Sequence, residues 1–242
     1  MPNENIIYFG DTAHLPYGDK SASAVAHYSE KIAAFLTSQN AKTIVIACNT
    51  ASSFGYHAVL KQVKNKIPVV NVIDPMAQFV STHKNFKKVG VIGTKGTISS
   101  HVYRERIKKL SPNLKVVEIA TPLLAPLVEE NFYNTTISKL VLAEYFKNPE
   151  LTDIDSLVLG CTHYPLLKDD IAAVLGEKVT ILDSSEVIAQ QLKKLLEEKN
   201  LLGNSENATQ KFFVSDFTET FDKNARMFFG HKITLAQANI WQ

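Results

Sequence analysis

An α/β fold, two similar lobes with parallel, helix-covered sheets and a cleft between them, is predicted by three observations. Short β-branched runs alternate with amphipathic segments along most of the chain, which is the rhythm of βαβ units. Most of these runs are continuously apolar rather than alternating, as expected for strands covered on both faces. Finally, "IVIACNTASS" (Ile44–Ser53) and "SLVLGCTHYP" (Ser156–Pro165) repeat one plan: an apolar run, a cysteine, then small polar residues.

Taken in order, strands are predicted at Asn5–Phe9 (NIIYF), Thr43–Ala47 (TIVIA), Pro68–Val72 (PVVNV) and Lys88–Gly93 (KVGVIG). Further strands follow at Leu114–Ala120 (LKVVEIA), Ser156–Gly160 (SLVLG), Val179–Leu182 (VTIL) and Lys211–Ser215 (KFFVS). Apolar residues at helical spacing place helices over Ala24–Ser38, Ser99–Leu110, Thr135–Phe146 and Glu186–Lys199. The polar run Leu201–Gln210 (LLGNSENATQ) reads as a surface loop. Both cysteine stretches close a strand and open a helix. Their wide separation suggests two similar lobes rather than a short repeat.

Composition narrows the function classes. At 242 residues the chain can bury the core of one large domain or two small ones. Its 45% hydrophobic and 21% charged residues are ordinary globular values. A formal charge of +2 is too small to argue for nucleic acid or a membrane surface. No apolar run approaches the ~18 residues of a membrane-spanning helix. Two cysteines make no disulfide framework, which points to a reducing cytoplasm.

In open α/β sheets, ligands bind beyond the carboxyl ends of the strands, where Cys48 and Cys161 both fall. Each is followed by residues able to cap a helix: Asn49, Thr50 and Ser52 in one case, Thr162 and His163 in the other. Free N–H groups and partial positive charge at a helix start are expected to lower each thiol's pKa and to hold an anionic substrate. Two such sites facing each other fit a particular chemistry. Inverting a stereocentre by proton transfer needs a base on one face of the carbon and an acid on the other. One thiolate and one thiol supply both, and exchange roles with the direction of reaction.

Plainer readings compete. A buried cysteine is often just a small hydrophobe. A metal would need more ligands than Cys161-x-His163 offers, and C-x-x-C pairs are absent. His14, His27, His57, His83, His101 and His231 read as surface or loop residues, and "GVIGTKG" makes no GxGxxG.

Four ordered motifs carry a resemblance. "YFGDTAHLPYGDKS" (Tyr8–Ser21), "VIACNTAS" (Val45–Ser52), "TPLLAPLVE" (Thr121–Glu129) and "LGCTHYPLL" (Leu159–Leu167) resemble the glutamate racemases of bacterial cell-wall synthesis. The agreement runs in order to the carboxyl end, "FFVSDFTETF" and "FFG" included. The resemblance implies cofactor-independent interconversion of L- and D-glutamate, with D-glutamate supplied to peptidoglycan. By position it implies Cys48 and Cys161 as the acid/base thiols, His163 as the helper of Cys161, and Glu129 beside it. Tyr17-Gly18, Asn49-Thr50 and Thr162-His163 would bind the charged groups of the substrate, with hydroxyls from Thr94 and Thr97. Without the resemblance, Tyr17-Gly18 is an ordinary turn, Asn49-Thr50 and His163 are helix caps, and Glu129 is a solvated helix residue.

The family's architecture implies a first lobe of residues 1–72 plus 191–242 and a second of residues 73–190. The expected partner is the small molecule glutamate, with no cofactor, no metal, no membrane and no direct nucleic-acid contact. A homodimer is an allowed assembly and the cytoplasm the expected compartment. A racemase of aspartate or another small acid, and an inactive binding protein, are the competing functions.

One departure stands out. The family opens with a strand ending in Asp-Ser-Gly, whose aspartate assists the first cysteine and whose serine holds substrate; neither has a counterpart here. Asp183-Ser184 matches a later family segment and is no replacement. The expectation is a natural protein longer by that strand. The present chain would then carry unpaired backbone and an apolar groove in its first sheet, racemise weakly or not at all, and tend to aggregate.

Overall fold

Parallel pairing follows from the apolar runs, because each parallel step needs a crossover helix that covers the sheet. The computed structural model describes residues 1–219, 221–222, 225–226 and 233–241, and every strand pairing among them is parallel. The chain begins with β1 (Ile6–Gly10), α1 (Ala22–Ser38), β2 (Ile44–Ile46), α2 (Asn49–Phe54), α3 (Tyr56–Gln62) and β3 (Val69–Asn71). Next come α4 (Ile73–Thr82), β4 (Lys88–Gly93), α5 (Lys95–Ser99), α6 (Val102–Leu110), β5 (Lys115–Ala120), α7 (Leu124–Glu129) and α8 (Thr136–Phe146). β6 (Ser156–Gly160), α9 (Lys168–Leu175), β7 (Thr180–Leu182), α10 (Ser184–Glu198), β8 (Gln210–Val214) and β9 (Leu235–Gln237) complete it.

The central strands form one sheet in the order β5-β4-β6-β7. Its strands are apolar throughout because both faces are buried. Val89, Val91 and Val158 pack with Met76 and Ile107 on one side. Ile92, Leu157 and Leu159 pack with Leu124, Leu142 and Ile171 on the other, where Cys161 also sits. Each such aliphatic side chain contributes roughly 1.5–3 kcal/mol by burial, so the sheet that carries Cys161 is firmly held.

The remaining strands form two sheets, β1-β8-β9 and β2-β3, rather than the single first sheet expected. Among the described residues no strand is hydrogen-bonded between β1 and β2, and Ile6, Tyr8 and Val45 are exposed. Helix α1 bridges them. Its Phe35 ring lies 5.2 Å from that of Phe9, while Val25 and Ala33 pack with Ile44 and Ile46.

Three local expectations need correction. The helix expected over Ser99–Leu110 begins only at Val102, because His101 adopts φ 53° and separates it from α5, which ends at Ser99. Strand β9 was not foreseen. Gln210, assigned to the loop, belongs to β8. No helix among the described residues is long and apolar enough to cross a membrane. His27, His57, His83 and His101 are exposed, whereas His14 is half-buried; His231 and the "FFG" segment lie outside the described residues.

Candidate active site

Cys48 follows β2 and turns the chain into α2, capping the helix itself: its Sγ accepts the Ala51 N–H at 3.5 Å. Asn49, Thr50 and Ser52, expected as caps, lie buried inside that helix. Each reaches elsewhere. Ser52 Oγ donates to Ile46 O at 3.0 Å and accepts the Val72 N–H at 3.3 Å, tying α2 to both strands. Asn49 Oδ1 accepts from Tyr103 OH at 2.7 Å, while its buried Nδ2 finds no partner among the described residues. The expected lowering of the Cys48 pKa is not found. Burial pushes the thiol up to about 11, against the pull of the Ala51 and Thr50 N–H groups, and the charge of Cys161 adds to the rise. Desolvation outweighs a helix of six residues.

Cys161 follows the wholly buried strand β6. No α-helix starts there: Thr162 is exposed, and a 3-10 turn (Tyr164–Leu167) intervenes before α9. His163 makes no capping bond. Its Nδ1 stands 3.7 Å from Cys161 Sγ, and its Nε2 lies 3.1 Å from Glu129 Oε1 at the end of α7. Burial opposes charge on the imidazole, but hydrogen bonds to Cys161 and Glu129 and their charges prevail, raising its pKa to about 10. An imidazolium therefore persists beside Cys161 at neutral pH. Below it, Tyr164 OH donates to Thr121 O at 2.9 Å and anchors the loop to the end of β5.

Between the two cysteine segments runs a seam of hydroxyls. Thr50 Oγ1 lies 2.8 Å from Thr94 Oγ1 and 3.2 Å from Thr97 Oγ1, with 3.1 Å between the latter two. Thr94 caps α5, accepting the Thr97 N–H at 3.1 Å. Close approach here depends on Gly18: a Cβ at that position would lie 2.7 Å from Thr94 Cβ. Tyr17 and Gly18 sit on a 3-10 turn, and Tyr17 OH donates to Asp11 Oδ2 at 2.7 Å. Burial, and then that carboxylate, push the Tyr17 phenol well above its ordinary pKa.

Asp11 is the hub of this corner. Buried just past β1, it also accepts Ser215 Oγ–H at 2.7 Å and meets His14 Nδ1 at 2.9 Å. His14 stacks on Tyr28 at 4.0 Å and meets the Trp241 ring edge-on at 4.5 Å. The carboxyl-terminal strand thereby braces the turn that carries Tyr17. Sequence reasoning missed Asp11, although a polar residue at the carboxyl end of a strand was the very signal that singled out the cysteines. It missed Tyr103 as well, which reads as an ordinary buried helix residue.

The geometry thus brings Tyr17, Gly18, Asn49, Thr50, Thr94 and Thr97 to one seam beside Cys48. It groups Cys161, His163 and Glu129 together, with the charge of Cys161 felt at Cys48 and at Tyr103. Among the described residues no cluster of three His, Cys, Asp or Glu is placed to hold a metal ion.

The pattern of the Asp/Glu/hydantoin racemases matches residues 2–192. The chain belongs to that family. A glutamate racemase of Geobacter metallireducens is 42% identical over 234 residues, covering 96% of this chain and 86% of that protein. Among solved structures, the Francisella tularensis glutamate racemase in complex with D-glutamate superposes with a TM-score of 0.93 at 37% identity. That match covers 99% of this chain and 89% of the other. The glutamate racemase isoform RacE1 of Bacillus anthracis gives 0.92 at 35% identity, over 98% of this chain and 88% of its own. The two-lobed α/β architecture of these racemases is the fold of this chain as well.

Proposed function

We propose that the chain interconverts L- and D-glutamate by proton transfer between two thiols, without a cofactor, and supplies D-glutamate for peptidoglycan. The observation that carries this reading is the placement of Cys48 and Cys161 at the carboxyl ends of strands in two separate sheets, with the charge of Cys161 felt at Cys48. Relatives named glutamate racemase, spanning nearly all of the chain, support the choice of substrate.

The step balances simply. A cysteine thiolate on one face removes the Cα proton, leaving a planar carbanion whose charge the carboxylate shares. The opposite S–H delivers its proton to the other face, so the configuration inverts and the proton has moved from one sulfur to the other. His163, cationic and 3.7 Å from Cys161 Sγ, balances the charge of that sulfur when it is a thiolate; Glu129 holds the imidazole in place. Asn49, Thr50, Thr94, Thr97, Tyr17, Gly18 and Thr162 are the groups assigned to the substrate's carboxylates and ammonium.

The lobes are assigned as residues 1–72 plus 191–242 and residues 73–190, with α10 carrying the chain back across. A cytoplasmic location suits two free thiols. The activity test is circular dichroism of a substrate panel. Decay of the glutamate signal from either enantiomer is the expected result. Decay with aspartate and not glutamate would overturn the substrate assignment.

A further inference from the structure

Tyr103 is 1% exposed on α6 and touches the neighbours of both cysteines. Its hydroxyl donates to Asn49 Oδ1 at 2.7 Å, one residue after Cys48. Its ring edge packs on Gly160, one residue before Cys161, where an added Cβ would lie 3.4 Å from Tyr103 Cε2. Burial, and then the charge of Cys161, push its phenol well above the ordinary pKa, so the group keeps its proton to donate. Meanwhile Asn49, 2% exposed, holds an Nδ2 with two hydrogens and no partner among the described residues. A buried, unsatisfied amide donor of this kind calls for a ligand that accepts hydrogen bonds.

We propose that Tyr103 is a positioning residue for the racemisation: it fixes the Asn49 amide so that Nδ2 faces the substrate, and it spaces the two thiol-bearing segments. An amide has two nearly isosteric orientations, chosen by its hydrogen bonds. With Oδ1 held by the phenol, the far side of the amide offers two donors to a carboxylate. Flipped, it would offer a carbonyl oxygen and repel the same carboxylate. The ring acts differently, as a rigid wedge between Asn49 and Gly160. The inference rests on the proposed function only in taking the ligand to be the carboxylate of the amino acid.

The variant Tyr103→Phe keeps the wedge and removes the hydroxyl. Its KM for both enantiomers should rise about tenfold while kcat stays within about threefold, because ground-state binding is lost and the spacing is kept. Asn49→Ala should raise KM similarly, and adding Tyr103→Phe to it should change kcat/KM less than about twofold, since the two share one interaction. Tyr103→Leu, which also removes the wedge, should lower kcat further. An unchanged KM in Tyr103→Phe, or effects that multiply in the double variant, would overturn the orienting role. A kcat in Tyr103→Leu equal to that of Tyr103→Phe would overturn the spacing role. Wild-type turnover in the same assay reports on the proposed function separately, so the two ideas fail by different readings.

Discussion

Cys48 and Cys161 occupy the same place in their sheets, yet their surroundings differ in kind. Cys48 is held mainly by backbone: its Sγ accepts from Ala51 N–H, the Thr50 side chain lies beside it, and burial lifts its pKa to about 11. Cys161 is held by side chains, with a His163 cation backed by Glu129. Topology therefore supplies two equivalent positions, and the local surroundings give them different partners. At neutral pH the Cys48 side rests as a proton donor. The Cys161 side carries the only imidazolium set beside a thiol among the described residues.

The largest test of that comparison is to delete either sulfur. Cys48→Ala and Cys161→Ala should each cut racemisation at least about 10³-fold in both directions, because each direction needs both thiols. Near-normal turnover by either single variant, followed by polarimetry, would reduce the site to one base. Next comes His163→Asn, expected to lower kcat about 10²-fold with a smaller change in KM. Here the pH sign can be worked out. The His163 pKa is raised in the folded state from 6.5 to about 10. Its contribution to stability is thus complete below the unfolded value of 6.5 and is lost as pH climbs through about 10. Thermal unfolding should show the wild type losing its advantage over His163→Asn across that window; a gap that widens with pH would contradict the assignment.

A sharper probe addresses Cys48 alone. In the Cys161→Ala background its alkylation rate by iodoacetamide should climb about tenfold per pH unit from 7 to 10, since only the thiolate reacts. A plateau near pH 8 would mean that burial does not hold the proton on Cys48. Asp11→Asn gives the smallest effect. The buried carboxylate that gathers Tyr17, Ser215 and His14 would lose its charge, so kcat/KM should drop about fivefold, mostly through KM. Equal loss in a Ser215→Ala variant would tie the effect to the brace that follows β8.

Legibility in the sequence divides along the same lines as the two cysteine sites. Runs such as Lys88–Gly93 and Ser156–Gly160 were readable to the residue because both faces of the sheet are buried and the apolar signal is unbroken. β9 was not, since three residues with two exposed carry almost no pattern. The break at His101 leaves no mark in the sequence because a left-handed residue leaves helical spacing on either side intact. At the site, both cysteines were visible from strand-end position. Asp11 and Tyr103 were not, because their roles depend on Ser215 and Asn49, which only the fold brings near. The direction of the Cys48 shift is illegible for a related reason: a helix start can be read from sequence, whereas the depth of burial that overrides it cannot.

The comparison comes down to whether two sulfurs serve opposite faces of one carbon. Starting from pure D-glutamate or pure L-glutamate in deuterium oxide, the initial phase of reaction should place solvent deuterium at Cα of the product enantiomer and leave the recovered starting enantiomer protiated. Deuterium appearing at equal rates in both enantiomers would mean a single base working on both faces, and would contradict the account.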